Sequence, residues 1–167
     1  FQENRPYLGF YDEGIPEVAD WEIKWMCEHG IDFELYCWYA GQADAPMVRS
    51  SWSSAIHNGH MKARYSDKVK IALLWEASAS AHPQSLDDFK KYFVPYFLDY
   101  FFKDSRYMTI DGYAIMSIYS PWTLIQNFGS AEKVREALEY LRSEVRGLGY
   151  KDLVIMCCSE NVPNTKL

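Results

Sequence analysis

The sequence predicts an α/β protein of the (β/α)8 barrel type, on three observations. Short apolar runs alternate with longer helical patterns, the signature of βα units with a parallel sheet. Several of those runs are apolar at nearly every position, as in strands buried on both faces. The runs beginning at residues 31, 69, 113 and 153 lie 38, 44 and 40 residues apart, so eight such units need roughly twice this chain. Residues 1–167 are therefore expected to be the N-terminal portion of one barrel domain, its first four to five βα units. The alternative is a complete open five-stranded sheet. The opening FQENRPYLGF, with neither an initiator Met nor a signal-peptide pattern, fits a chain whose original start is absent.

The first strand is expected at 7–11 (YLGFY). A helix follows over 16–29, with Pro16 at its start, Gly30 past its end, and Val18, Ile23, Trp25 and Met26 available for a buried face. The second strand is 31–39 (IDFELYCWY). Glu34 is its odd residue, expected either to pair with a base or point towards a site inside a barrel, or to mark a strand edge. Residues 46–65 carry a weaker pattern, read as a helix around 50–62. The third strand is 69–76 (VKIALLWE). Ser85 followed by Asp87 and Asp88 predicts an N-cap for a helix over 85–102, where Phe89, Tyr92, Phe93, Phe97 and Phe101 recur at helical spacing and Pro95 kinks or interrupts the run. The fourth strand is 113–119 (YAIMSIY). Ser130, an early Glu132, late Arg142 and Arg146, and the stops Gly147 and Gly149 bound a helix over 130–147. The fifth strand is 153–158 (LVIMCC).

Composition narrows the function. With 49% hydrophobic and 24% charged residues, the chain is neither disordered nor fibrous, and no apolar run reaches the roughly 18 to 20 residues that cross a bilayer. The 17 Lys and Arg against 23 Asp and Glu give a net charge of −6, which argues against a nucleic-acid partner. The 17% aromatic content, with 6 Trp, 13 Tyr and 9 Phe, exceeds what a core requires and points to flat ligands such as sugars. Cys27, Cys37, Cys157 and Cys158 show no metal-ligand spacing; Cys37, Cys157 and Cys158 lie in apolar strand-like segments and are read as buried free thiols, leaning towards a reducing compartment. No P-loop, GxGxxG, GxSxG or HExxH pattern occurs, and neither a metal nor a cofactor is expected.

Ligands of parallel α/β folds gather at the carboxyl ends of strands. Each apolar run here ends in polar and aromatic residues: Tyr11, Asp12 and Glu13; Trp38, Tyr39 and Gln42; Trp75 and Glu76, then Ser78, Ser80 and His82; Tyr119, Ser120 and Trp122; Ser159, Glu160 and Asn161. Glu76 is the sharpest candidate, because a carboxyl buried beside an indole has its charged form disfavoured and suits a general acid. Asp12 and Glu160 are its candidate partners as base or nucleophile; the alternative for Glu76 is a strand-end residue that bonds loop amides or a sugar hydroxyl. Tyr11, Trp38, Tyr39, Trp75, His82, Tyr119 and Trp122 are the candidate substrate-binding residues; Trp38, Tyr39, Trp75 and Trp122 either stack on pyranose faces or pack in the core and between helices, and His82 is otherwise an exposed loop residue. Trp21, Trp25 and Trp52 are assigned to packing, His29 to a helix end, and His57 and His60 to a helix surface.

Four segments, PYLGFYDEG (6–14), GIDFELYCWYAG (30–41), VKIALLWE (69–76) and FKKYFVPYFLDYFFKDSRYMTIDGYAIMSIYSP (89–121), resemble glycoside hydrolase family 99 and its WbsX-type relatives. The last is the most specific match, with Tyr107, Asp111, Gly112, Ile118, Tyr119 and Pro121 in order. The resemblance implies a (β/α)8 barrel acting on glycans, with hydrolase members cleaving α-mannosides through two glutamates and participation of the sugar 2-hydroxyl. No closely spaced Glu pair stands at a strand end here, so the resemblance places that pair outside this chain and makes Glu76 a substrate-binding residue. The leading expectation is a glycoside hydrolase acting on a polysaccharide or glycan. The alternatives are a glycosyltransferase of surface-polysaccharide assembly, for which no DxD motif or phosphate loop is present, and a non-catalytic glycan-binding module. A hydrolase implies an extracytoplasmic setting and a transferase a cytoplasmic one. A missing C-terminal half or another chain is expected to cover the sheet edge.

Overall fold

The computed structural model describes residues 5–41, 51–78 and 83–158. They form a mixed α/β structure around one five-stranded sheet. Strands β1 (Phe33–Trp38), β2 (Lys70–Glu76), β4 (Tyr113–Tyr119) and β5 (Asp152–Cys158) run parallel and lie side by side in chain order. The two-residue β3 (Thr109–Ile110) pairs antiparallel with the start of β4. Its hairpin turns on Asp111 and Gly112, both at positive φ (52° and 86°), the backbone that a tight two-residue hairpin demands. Among the described residues the sheet does not close into a barrel, and β1 and β5 are its edges. The strand expected at 7–11 is absent: the chain turns there, Gly9 taking φ +79° and donating its N–H to the Pro6 carbonyl at 2.8 Å.

Helix α1 (Pro16–Glu28) matches its sequence signals. It ends in a Schellman arrangement in which Ile31 N–H bonds the Met26 carbonyl at 2.9 Å and Gly30 N–H the Cys27 carbonyl at 3.3 Å, with Gly30 at φ +72°. The helix expected around 50–62 is broken into a 3-10 turn (Ser51–Ser53), a π-turn (Ala55–Gly59) and a second 3-10 turn (His60–Lys62).

Residues 86–102 form one helical run in which α2 (Leu86–Asp88) and α3 (Val94–Phe97) alternate with π-turns at Phe89–Phe93 and Leu98–Phe102. Ser85 caps it, its hydroxyl accepting from Asp88 N–H at 3.1 Å. The alternation explains the spacing of the aromatic face. Phe89, Phe93, Phe97 and Phe101 are each four apart, an interval that drifts about 40° per step around a 3.6-residue helix. Wider π-turns cancel the drift, and all four rings are buried on the sheet. Pro95, which donates no N–H, lies at the junction of the first π-turn with α3, and the helical run continues past it rather than being interrupted.

A short helix that the sequence did not announce, α4 (Trp122–Phe128), follows β4 and stops at Gly129, which is at φ 86°. Helix α5 (Ala131–Gly147) is capped by Ser130, whose hydroxyl accepts from Lys133 N–H at 3.3 Å, and buries Val134, Ala137, Leu138, Leu141 and Val145.

One face of the sheet, carrying Tyr36, Trp38, Ile71, Leu73, Trp75, Ala114, Met116, Ile118 and Leu153, packs against the helices and forms the core. Trp75 meets Phe89, Phe93 and Phe97 at centroid distances of 5.3–5.7 Å, and Trp38 meets Phe93, Tyr96, Phe97 and Phe101. His57 and His60, expected on a helix surface, are buried here instead: the Nε2 atom of His57 lies 3.0 Å from the Tyr96 hydroxyl, and Nδ1 of His60 lies 3.0 Å from that of Tyr36. Burial holds the His60 imidazole below its ordinary range, so the ring is neutral at pH 7.

Arg106 ties the loop before β3 to the helical turns before β2. Its Nη1 bonds the Met61 carbonyl at 3.0 Å and the Ser66 hydroxyl at 2.8 Å, while Nε and Nη2 engage both oxygens of Asp104. The hydrogen bonds from Arg106 hold the Asp104 carboxyl below the usual carboxylate range. A depressed acid stabilises the fold above its unfolded pKa of about 4 and loses that contribution as pH falls. Stability measured by denaturant titration should therefore drop below about pH 4, and Asp104→Asn should make that drop shallower; an unchanged slope would remove Asp104 from the account.

Candidate functional site

The face opposite the helices carries alternate strand residues, and among the described residues no helix covers it. Register brings Cys37, Leu74, Ser117 and Met156 into one row, and Glu76, Tyr119 and Cys158 into the next, at the carboxyl end of the sheet. Each strand delivers its residue for the same reason: with a period of two, the position after a core-facing side chain points to the open face. Glu76 thus faces away from Trp75. The expectation that the indole buries this carboxyl is corrected, because the two side chains lie on opposite faces of β2.

Ser78, just past β2, holds Glu76 in place: its N–H and its hydroxyl donate to Oε1 at 3.1 and 2.5 Å. Among the described residues no other donor hydrogen-bonds this carboxylate. Tyr39 extends β1 by one residue, and the buried Ser53 hydroxyl fixes its main chain, accepting from its N–H at 3.0 Å and donating to its carbonyl at 3.1 Å. A hydrogen bond with Cys37, then burial, then the nearby Glu76 and Tyr119 push the Tyr39 phenol up to about 12, so it stays a proton-bearing donor at neutral pH. Tyr119 is 48% exposed, and Trp122, in the first turn of α4, is also open to solvent. Between them Ser120 takes φ +52°. For a non-glycine residue this left-handed backbone costs on the order of 1 kcal/mol, the kind of strain that collects at working sites. Trp52, which the sequence assigned to packing, is 69% exposed and meets Tyr39 edge-on at 5.2 Å. No periodicity or motif in the sequence around Trp52 marks it out, because its partner Tyr39 is brought to it only by the fold.

The other sequence candidates fare differently. Trp38 and Trp75 are 1% and 0% exposed, Trp38 packed against Tyr96 and three phenylalanines and Trp75 against three phenylalanines, so neither offers a surface to a sugar. Asp12 is exposed and closes its own turn, one oxygen accepting from Gly14 N–H at 2.8 Å. Tyr11 lines a cleft with Glu22 of α1, whose nearby charge raises its phenol above the ordinary range. His82 and Glu160, with Gln42, Ser80, Ser159 and Asn161, lie outside the described residues. The thiols are also corrected: Cys157 and Cys158 are exposed and Cys37 is only half-buried, and Cys27 on α1 is exposed as well. Cys158 Sγ lies 3.0 Å from the Ser117 hydroxyl on the open face.

Beside the rim, along the free edge of β1, runs a cleft of about 610 Å³ whose walls include Tyr11, Glu22, Trp25, Glu34, Cys37 and Tyr39. Glu34, the odd residue of its strand, turns to the helix side and accepts from the Tyr36 hydroxyl at 2.7 Å. It stands on an edge strand, as one of the two sequence expectations had it. Burial raises the carboxyls of both Glu22 and Glu34, with nearby carboxylates adding to the effect. Among the described residues no cluster of three or more His, Cys, Asp and Glu side chains could hold a metal ion, and no helix is long and apolar enough to cross a membrane. No protein-family model, curated protein or solved structure matches the chain, so the glycosidase resemblance stands on the quoted segments alone.

Proposed function

We propose that the chain forms one side of the glycan cleft of a glycoside hydrolase, with its parallel strands as consecutive units of a (β/α)8 barrel. The observation that carries the reading is the meeting of Glu76 with Tyr39 and Tyr119 at the carboxyl end of the sheet, where parallel α/β folds do their chemistry. The chain-order parallel strands with helices on one face support the barrel, because doubly wound sheets reverse their order and carry helices on both faces.

In this reading Glu76, oriented by Ser78, presents a carboxyl oxygen to the glycosidic oxygen or to a sugar hydroxyl. Tyr39 donates to a neighbouring hydroxyl. The exposed rings of Trp52, Tyr119 and Trp122 supply flat apolar surface for the C–H faces of pyranose rings. Hydrolysis through paired carboxyls needs a second one across the scissile bond, and Asp12 is the candidate the described residues offer.

The test is incubation of the protein with α-mannan and a panel of other polysaccharides, reading released reducing ends together with binding by calorimetry. Products, with binding weakened by Trp122→Ala, are expected. Binding without products would make the chain a glycan-binding module, and the absence of both would overturn the reading.

A further inference from the structure

We propose that Glu34, Tyr36 and His60 act as one proton-exchanging unit behind the cleft along β1, in which the ionisation of Glu34 decides which nitrogen of the buried His60 carries hydrogen. The three side chains make a continuous chain from the cleft wall to the core. Glu34 lines the cleft. The Tyr36 hydroxyl donates to its Oε2 at 2.7 Å, and the same hydroxyl lies 3.0 Å from Nδ1 of His60. The Tyr36 and His60 rings meet edge-on at 5.5 Å, and His60 is 1% exposed.

A hydroxyl has one hydrogen, and this one stands between two groups that each accept it. With Glu34 a carboxylate, the hydrogen points to Oε2, and Nδ1 meets the hydroxyl oxygen favourably only as an N–H donor. The other ring nitrogen, Nε2, is then a bare lone pair, buried with no hydrogen-bond partner among the described residues. With Glu34 a carboxylic acid, the acid donates to the Tyr36 oxygen, the hydroxyl hydrogen turns to Nδ1, and the ring hydrogen resides on Nε2. The bond made at one nitrogen thus sets the state of the other. The ring is neutral in both states. The first holds two hydrogens, on Tyr36 and Nδ1; the second holds three, on Glu34, Tyr36 and Nε2, so one proton is taken up in the change. The step between them passes through the charged ring: a proton arriving at Nε2 lets the Nδ1 hydrogen pass to the Tyr36 oxygen as the Tyr36 hydrogen passes to Glu34.

The charges around the chain support it at each member. Burial disfavours the Glu34 carboxylate, the Tyr36 bond opposes that, and Glu13 adds to it; Glu22 on α1 is itself raised by burial and by Glu34. Burial, then Glu34, keep the Tyr36 phenol protonated, so the middle of the chain never ionises. Burial disfavours a charged His60, while the backbone of Val69 and Ser66 favours hydrogen on the ring; Arg106 opposes and Asp104 supports a positive charge there. A proton drawn from Glu34 by a base in the cleft is therefore registered at His60, whose 3-10 turn packs against α1. None of this rests on the glycan reading.

Nitrogen-15 NMR of the histidine rings, with carbon-13 NMR of the carboxyls, reads both ends of the chain in the unaltered protein. As pH rises, the His60 hydrogen should move from Nε2 to Nδ1 at the midpoint where Glu34 loses its proton, above the usual glutamate value of about 4.3. A neutral histidine outside such a chain keeps one tautomer through that step. Tyr36→Phe, which removes only the hydroxyl, should leave Glu34 titrating alone with the His60 response lost, and Glu34→Gln should abolish the His60 step. A His60 tautomer that stays constant while Glu34 titrates in the wild type, or a His60 step that survives Glu34→Gln, would overturn the proposal. The wild-type titration decides even where a variant fails to fold.

Discussion

Glu76→Gln is expected to lower turnover of a cleaved glycan by about 10²- to 10⁴-fold, the usual contribution of a positioned acid or base. The substitution keeps the shape and the acceptor oxygen that Ser78 engages, so the rim should keep its geometry while losing a group that can exchange a proton. Rate and affinity then separate the roles. A fall in kcat with glycan affinity within about threefold marks a group that acts on the reacting bond. A weakened affinity with kcat preserved marks a residue that only positions sugar, as the resemblance to family 99 implies. No change in either would show that the Glu76–Ser78 pair is a strand-end device with no part in ligand chemistry.

Trp75→Ala should destabilise the protein by about 3–5 kcal/mol, the range for deleting a large core aromatic. The ring is fully buried, stacked on Phe89 at 5.7 Å with an interplanar angle of 20° and flanked by Phe93 and Phe97. Its removal opens a cavity that the helical run 86–102 cannot fill without losing the alignment of its four phenylalanines. Denaturant unfolding gives the loss directly. Glycan affinity of the fraction that remains folded should be unchanged, because Trp75 touches only the helix layer; a selective loss of affinity at full stability would contradict the packing found here. Trp75→Phe should cost less, since it keeps most of the stacking and removes an indole N–H that has no partner among the described residues.

Much of the architecture was legible because it is written in local chemistry. Pro16 and Gly30 bracket α1, Ser130 caps α5, and the apolar runs at 69–76 and 113–119 are strands within a residue of their expected bounds. The failures share a different cause. Residues 7–11 have a strand's pattern, but Gly9 admits a turn that no pattern of apolar residues reveals. α4 is seven residues long, too short to show a period. Sequence order could rank Glu76, Tyr39 and Tyr119 as a rim because strand ends converge wherever strands are parallel. It could not say which side of each strand a ring occupies, and a shift of one residue exchanges core for surface. Trp38 and Trp75 fell on the core side of that line and Tyr119 on the open side, while Trp52, in a 3-10 turn, is exposed for want of any layer over it among the described residues.

That division of the tryptophans has an optical consequence. Trp38 and Trp75 are sealed among hydrocarbon rings, so their fluorescence should be blue-shifted and out of reach of a dissolved quencher such as iodide. Trp21, Trp52 and Trp122 meet water and should emit further to the red and be readily quenched. One unlabelled sample therefore holds two native dyes: an inner pair that answers when the fold opens, and an outer set, with Trp52 and Trp122 at the rim, that answers when something settles there.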